Sequence, residues 1–242
     1  MATPNASVAG CPRITDFFNA ASRTKFNQSL VADCVIAIKG ENFSATSQTF
    51  DPPVMEAGSF FLLFPPEARF PIYSIAPNEI VCVVPSTLSS SQPYQLELHV
   101  PQQGPVPCPT VTNKGLIVTA SPGLFTLDGT VSGPGMFFQY PDGDATPILP
   151  GDSAEPTMLQ VYGTGFRHIS QTPTAMIDGI SVPVVAWEAD TTRPGYDRLI
   201  FQLPEGFPSG THRFKIVADG KTSNEVTLEM MSATRLQQSA GS

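Results

Sequence analysis

Tyr94, Leu96, Leu98 and Val100 alternate with Gln95, Glu97 and His99. Residues two apart on an extended chain share a face, so this stretch can bury one row of side chains and wet the other. That pattern predicts a half-buried antiparallel strand. His212-Arg-Phe-Lys-Ile-Val217 alternates in the same manner, and short apolar runs such as Ile80–Val84 and Leu199–Leu203 end at prolines, which withdraw a ladder donor. No window sustains a helical period. The 25 prolines and 19 glycines scattered over 242 residues would interrupt helices repeatedly, yet they suit short strands joined by many turns. The expected fold is all-β.

The pattern also repeats. Ala37–Phe43 reads AIKGENF and Gln160–Phe166 reads QVYGTGF, so Gly40 and Gly163, like Phe43 and Phe166, lie 123 positions apart. IVCVVP at Ile80–Pro85 and LIFQLP at Leu199–Pro204 form a second pair, 119 positions apart. Between these pairs Tyr73 matches Trp187, with a longer connection before the following strand in the second copy. Gly40 and Gly163 are expected to take a positive φ that ends their strands and lets Phe43 and Phe166 fold back over the open end of a sandwich. Two units of one design follow, each about the size of an immunoglobulin-like β-sandwich. The boundary falls near Val118–Ser121, before SPGLFTLDG. This gives a first domain at 12–119, a second at 120–231, and a small polar tail at 232–242 that is expected to be disordered.

GENF and GTGF, each followed by an alternating strand ending in VP or LP, resemble the IPT/TIG group of immunoglobulin-like domains found in plexins, some transcription factors and many bacterial surface proteins. A closer resemblance is to a C-terminal region of secreted acidobacterial (Solibacter-type) proteins. Its motifs stand here as Asn19-Ala-Ala-Ser22, Asn78-Glu-Ile80 with Val84-Pro85, Pro122-Gly-Leu-Phe-Thr126, Gly163-Thr-Gly165, PGYDRLIFQLP at Pro194–Pro204 and GKTSNEVTLEM at Gly220–Met230. The resemblance runs from about Ile14 to Met230. It implies tandem antiparallel β-sandwiches and a secreted setting, and it brings no catalytic residue. Where that family has glutamine and asparagine in its second long strand, this chain has Arg198 and Ile200.

Four cysteines, Cys11, Cys34, Cys82 and Cys108, sit in the first unit without CxxC spacing, which disfavours zinc. An even number suits an oxidising compartment, but four cysteines allow three pairings, and buried free thiols are the alternative. In an immunoglobulin-like sandwich the first strand often pairs in parallel with the last, which makes Cys11 with Cys108 the favoured disulfide. Cys34 and Cys82 share the inward parity of Ile36, Ile38, Ile80 and Val84, so they are expected to face the core, joined or simply packed.

Thirteen basic residues against 21 acidic ones give a net charge of −8, which repels a phosphate backbone and argues against nucleic acid as a partner. The longest apolar cluster, Phe60–Phe64, is far too short to span a bilayer. Residues 1–10 lack the basic start and apolar run of a secretory leader. Either a native leader has been removed or the protein is intracellular, and the expectation of a secreted or cell-surface protein takes the first.

Chemistry is sparse. His99 and His212 are read as outward-facing strand residues and His168 as a surface residue after the GTGF turn. No G-x-S-x-G elbow accompanies them. Gly163-Thr-Gly165 lacks the further glycine and helix of a phosphate loop and reads as a turn. Asp128-Gly and Asp142-Gly-Asp144 lack EF-hand spacing and read as turns, so neither metal nor cofactor is expected. Glu56, Glu67, Glu79, Glu188 and Asp190 lie in or near connections with no recognisable acid pair. Phe60, Phe61, Phe64 and Phe70, and Met136–Tyr140, are read as packing before they are read as a binding face. The functional expectation is a non-enzymatic extracellular module that recognises a protein or glycan or spaces other domains. The alternatives are a self-assembling subunit of a surface fibre or layer, or an accessory module of a carbohydrate-active enzyme.

Overall fold

The computed structural model describes residues 12–27, 29–57, 61–64, 68–89, 91, 93–99, 111–141, 148 and 156–231. The first half holds β1 (Arg13–Asn19), β2 (Ser29–Val31), β3 (Val35–Glu41), β4 (Gln48–Val54), β5 (Phe61–Phe64), β6 (Ala68–Arg69), β7 (Ile72–Ala76), β8 (Glu79–Val83), β9 (Pro93–His99) and β10 (Val111–Val118). The second holds β11 (Gly123–Leu124), β12 (Phe137–Gln139), β13 (Met158–Thr164), β14 (Thr174–Ile177), β15 (Ile180–Val182), β16 (Val184–Ala189), β17 (Asp197–Gln202), β18 (Gly210–Ala218), β19 (Lys221–Thr222) and β20 (Val226–Met230). No helix occurs among the described residues, and so none long and apolar enough to cross a membrane.

The two halves are tandem immunoglobulin-like β-sandwiches with one strand plan. In the first, the sheet β1-β3-β8-β7-β4 faces the sheet β2-β10-β9-β5-β6. In the second, β11-β13-β17-β16, with β12 also on β13, answers the former, while β20-β18-β14-β15 answers the latter. Ile36 faces Cys82 and Ile38 faces Ile80; the equivalent rungs are Leu159 with Phe201 and Val161 with Leu199. Both repeat offsets therefore describe one register. Parallel pairing to the last strand comes from β2 against Leu116–Val118 and, in the second half, from bridges of Pro134 and Ile148 to β20.

Each sandwich closes over its own apolar core. Cys34, Ile36, Ile38, Ile80, Cys82 and Val84 line the first. In the second, Phe201 stands where Cys82 stands in the first, and it packs against Phe214 and Phe137 with centroids 4.8 and 6.3 Å away. Cys34 and Cys82 are buried free thiols, packed as apolar residues rather than joined. Cys11 and Cys108 lie outside the described residues, as do Phe60, Glu67, Asp142, Asp144 and the tail 232–242.

Three expectations are corrected. Gly40 and Gly163 do not take a positive φ; they remain inside β3 and β13. They are glycines because a Cβ would collide with the neighbouring strand, at the Arg13 carbonyl or the Gly123 carbonyl, and with the ring of Phe43 or Phe166. The left-handed residue is the third of each motif, Asn42 at φ 59° and Gly165 at φ 80°. This turn swings Phe43 and Phe166 back to full burial, worth about 2–3 kcal/mol each. Tyr73 is not the equivalent of Trp187. It lies in a bulge matched by Val185, whereas Trp187 opposite Leu199 matches Ile75 opposite Ile80. Finally, His212 points inward, because it shares parity with Phe214 and Ile216.

Candidate functional site

The polar side chains buried most completely gather where the two sandwiches meet. Asn19, Thr164 and Asp197 are each 0% exposed. Unpaired, such groups would cost more than they contribute, so their partners define what the junction does.

Asn19 ends β1. Its Oδ1 accepts the amides of Ala21 and Ser22, both at 2.9 Å, and so shapes the NAAS turn. Its Nδ2 donates across to the Ser121 carbonyl at 2.7 Å. Gly123 packs so tightly on the Asn19 amide that a Cβ there would overlap it. On the same seam, the Ser121 amide donates to the Gly165 carbonyl at 2.9 Å, and Gly165 has no room for a Cβ against Ser121. Asn224 holds the linker from the far side, accepting the Leu124 amide at 2.8 Å and donating to the carbonyls of Leu124 and Val131.

Thr164 is the hinge pin. Its hydroxyl accepts the Val35 amide of the first sandwich at 2.8 Å and donates to the Gly195 carbonyl at 2.7 Å. Gly195 belongs to the connection 190–196 between β16 and β17, which replaces the two-residue turn Pro77-Asn78 of the first copy. The longer connection seen in the sequence thus reaches the neighbouring sandwich. Gly195, at φ 81°, lies against Val35 and Val83, and the Pro194 carbonyl accepts the Tyr73 hydroxyl at 2.7 Å. Tyr196 stacks on Phe125 at 4.3 Å and meets Tyr73 edge-on at 6.0 Å.

Asp197 secures the base of this connection. Its carboxylate accepts the amides of Phe166, at 2.7 Å, and Arg167, at 3.1 Å, as well as the Arg167 Nε–H. Burial raises its pKa to about 6, against the opposing pull of the Arg167 guanidinium and the two amides. Asp33 of the first sandwich pairs with His168, 2.8 Å away, and with Arg167 at 3.8 Å. Cys34 lies close to Asn19 and Thr164, and burial pushes its thiol up to about 12.

The other candidates are drawn into separate structural contacts. His212 bonds Asp178 at 2.7 Å and the Pro208 carbonyl at 3.0 Å. Glu79 takes Arg23 at 2.7 Å and Lys39 at 2.6 Å; burial works to raise its pKa, but those two cations hold it below the ordinary carboxylate value. Glu56 pairs with Arg69, Glu188 with Arg198, and Asp190 caps Thr192. Asp128 accepts both the amide and the hydroxyl of Thr130 at its Oδ1, which closes the turn. Phe70 and Phe137 are core residues, whereas Tyr140 is 40% exposed, with the Arg198 guanidinium 6.0 Å from its ring. The side chains of Phe61, Phe64 and His99 fall outside the described residues.

Beside the clasp, a cleft of about 320 Å³ opens between the sandwiches. Tyr73, Phe125 and Tyr196 form its aromatic wall, and Ala20, Ala21, Thr49 and Ser74 line it with them. Neither Asp197 nor Arg167 was singled out by sequence reasoning. The available signal was an aspartate two residues before the apolar run Leu199–Leu203.

No family model matches the chain, and no curated protein does. Among solved structures, the plexin A4 extracellular region is similar over 94% of this chain and 19% of its own length, at 13% identity and a TM-score of 0.33. The BSP domain of a biofilm-associated protein is similar over 93% of this chain and 30% of its own, at 13% identity and a TM-score of 0.26. The titin tandem A164–A165 is similar over 92% and 96%, at 9% identity and a TM-score of 0.24. This chain thus spans under a third of the plexin and biofilm-associated chains. Its fold assignment rests on its own strand order and paired cores.

Proposed function

We propose that the chain is a non-enzymatic extracellular or cell-surface module of two IPT/TIG-type domains, 12–119 and 120–231, with a tail at 232–242. Held at a fixed angle, the domains present loops and sheet edges to a protein or glycan ligand. The observation that carries this reading is the buried junction of Asn19, Thr164 and Asp197. The motifs NAAS, PGLFT, GTG and PGYD, scattered along the chain, all supply its contacts. Their resemblance to the secreted acidobacterial region is accounted for if that arrangement itself is what those motifs maintain. A secreted setting goes with a Cys11–Cys108 disulfide, which peptide mapping of the non-reduced protein detects.

The test combines a glycan and protein array with a hydrolase panel on the purified chain. Saturable binding without turnover is expected, and turnover of any substrate refutes the reading. Small-angle scattering supplies the second arm: one interdomain angle is expected for the wild-type chain and a broadened distribution for Thr164→Val.

Self-assembly is a second reading, favoured by one feature. β15 and β16 end their respective sheets on the same rim, where Ile180 is 68% and Val185 56% exposed. Concentration-dependent oligomers that Ile180→Lys abolishes would support it, and a persistent monomer refutes it.

A further inference from the structure

We propose that the cleft between the sandwiches is a saccharide-binding site that takes one pyranose residue of a neutral glycan. This rests on the recognition reading above and names its ligand and its location.

Three properties of the cleft point to that chemistry. Its volume, about 320 Å³, suits a single ring. Its wall is aromatic: Phe125 stacks on Tyr196, whose ring also carries the Arg193 guanidinium 5.7 Å from its centroid and meets Tyr73 edge-on, so the outer face of Phe125 and the ring of Tyr73 are the apolar surfaces offered to the C–H face of a pyranose. Its lining carries the neutral hydroxyls of Thr49, Ser74, Thr126 and Thr130. Thr49 and Ser74 pair through their backbones in the β4–β7 ladder, and their hydroxyls make no side-chain hydrogen bond among the described residues. The hydroxyl hydrogens of Thr126 and Thr130 are already directed at the Thr130 carbonyl and at Asp128, which leaves oxygen lone pairs as acceptors.

Charge narrows the choice further. The chain carries 21 acidic residues, yet none lines the cleft, whose one ionised wall residue, Arg23, is paired with Glu79. A ligand with hydroxyls and no net charge suits this lining, whereas a phosphorylated or polyanionic one finds no free cation among the lining residues; Arg193, outside the lining, is engaged over the Tyr162 and Tyr196 rings. The wall is also fixed before any ligand arrives. Tyr73 is held by Pro194, and Tyr196 adjoins Asp197 at the base of the clasp, so little ordering is left for binding to impose.

The experiment titrates the full chain with soluble neutral hexasaccharides of β-1,4-glucan, α-1,4-glucan, β-1,4-mannan and β-1,4-N-acetylglucosamine. Calorimetry measures binding, and NMR follows the ring resonances of Tyr73 and Tyr196. Thr49→Trp fills the cleft from an exposed position on an edge strand, and Phe125→Leu keeps apolar volume while removing the stacking face. Expected are saturable binding of at least one oligomer, shifts at both tyrosines, loss of binding in Thr49→Trp, and roughly tenfold weakening in Phe125→Leu, about 1.4 kcal/mol. If Thr49→Trp does not fold, Phe125→Leu and the tyrosine shifts carry the test. No binding by the folded wild-type chain at millimolar concentration overturns the proposal. Binding that leaves both tyrosines unshifted overturns the location while sparing the recognition reading. Release of new reducing ends during titration overturns both.

Discussion

Thr164→Val is nearly isosteric and removes one hydroxyl from the centre of the junction. That hydroxyl both accepts the Val35 amide and donates to the Gly195 carbonyl, and Thr164 is 0% exposed. The substitution therefore leaves two buried groups unsatisfied, each costing about 1–3 kcal/mol, for a total of about 2–6 kcal/mol. In a chain of this size the melting temperature should fall by roughly 5–15 °C. Thr164→Ser keeps the oxygen and should cost no more than about 1.5 kcal/mol. Urea unfolding followed by Trp187, the sole tryptophan and part of the second sandwich, is compared with far-UV circular dichroism, which reports both sandwiches. The two probes should coincide for the wild-type chain and separate for Thr164→Val as the domains uncouple. Equal stability of the Val and Ser variants, within about 0.5 kcal/mol, would refute the account of the clasp.

Gly40→Ala and Gly163→Ala should each lose about 1–3 kcal/mol or more in chemical denaturation, because the added methyl meets a backbone carbonyl as well as a phenylalanine ring; a neutral effect at either site would mean that the Phe turn yields. For Asp197, a folded pKa near 6 against an ordinary 3.8 means that stability from this group is full below about pH 4 and is lost as pH rises through 6, by up to about 3 kcal/mol. Asp197→Asn should flatten that part of the pH–stability curve, and an unchanged slope would assign the titration elsewhere. Cys34 and Cys82, buried and with thiol pKa values raised by burial, should resist alkylation in the native chain and react only after unfolding, which peptide mass spectrometry reads directly.

Local rules made the fold class legible. Alternation at Tyr94–Val100, prolines closing the apolar runs, and the GENF and GTGF repeat each depend on only a few neighbouring residues, so they can be read along the chain. Parity likewise put Cys34 and Cys82 inside. The same rule gave the wrong face for His212 until Phe214 and Ile216 anchored the strand, since alternation supplies two faces and only packing identifies the buried one. The role of Gly40 and Gly163 was misread for a related reason: a glycine reports freedom of φ and closeness of approach with the same letter, and only the position of the Arg13 and Gly123 carbonyls separates the two. The junction lay furthest from view. Asn19 meets Ser121, Thr164 meets Val35, and Tyr73 meets Pro194 across more than a hundred positions of chain. Alternation fixes which face of a strand each residue occupies, whereas the angle between two finished sandwiches comes from hydrogen bonds and ring contacts that exist only once both cores have closed.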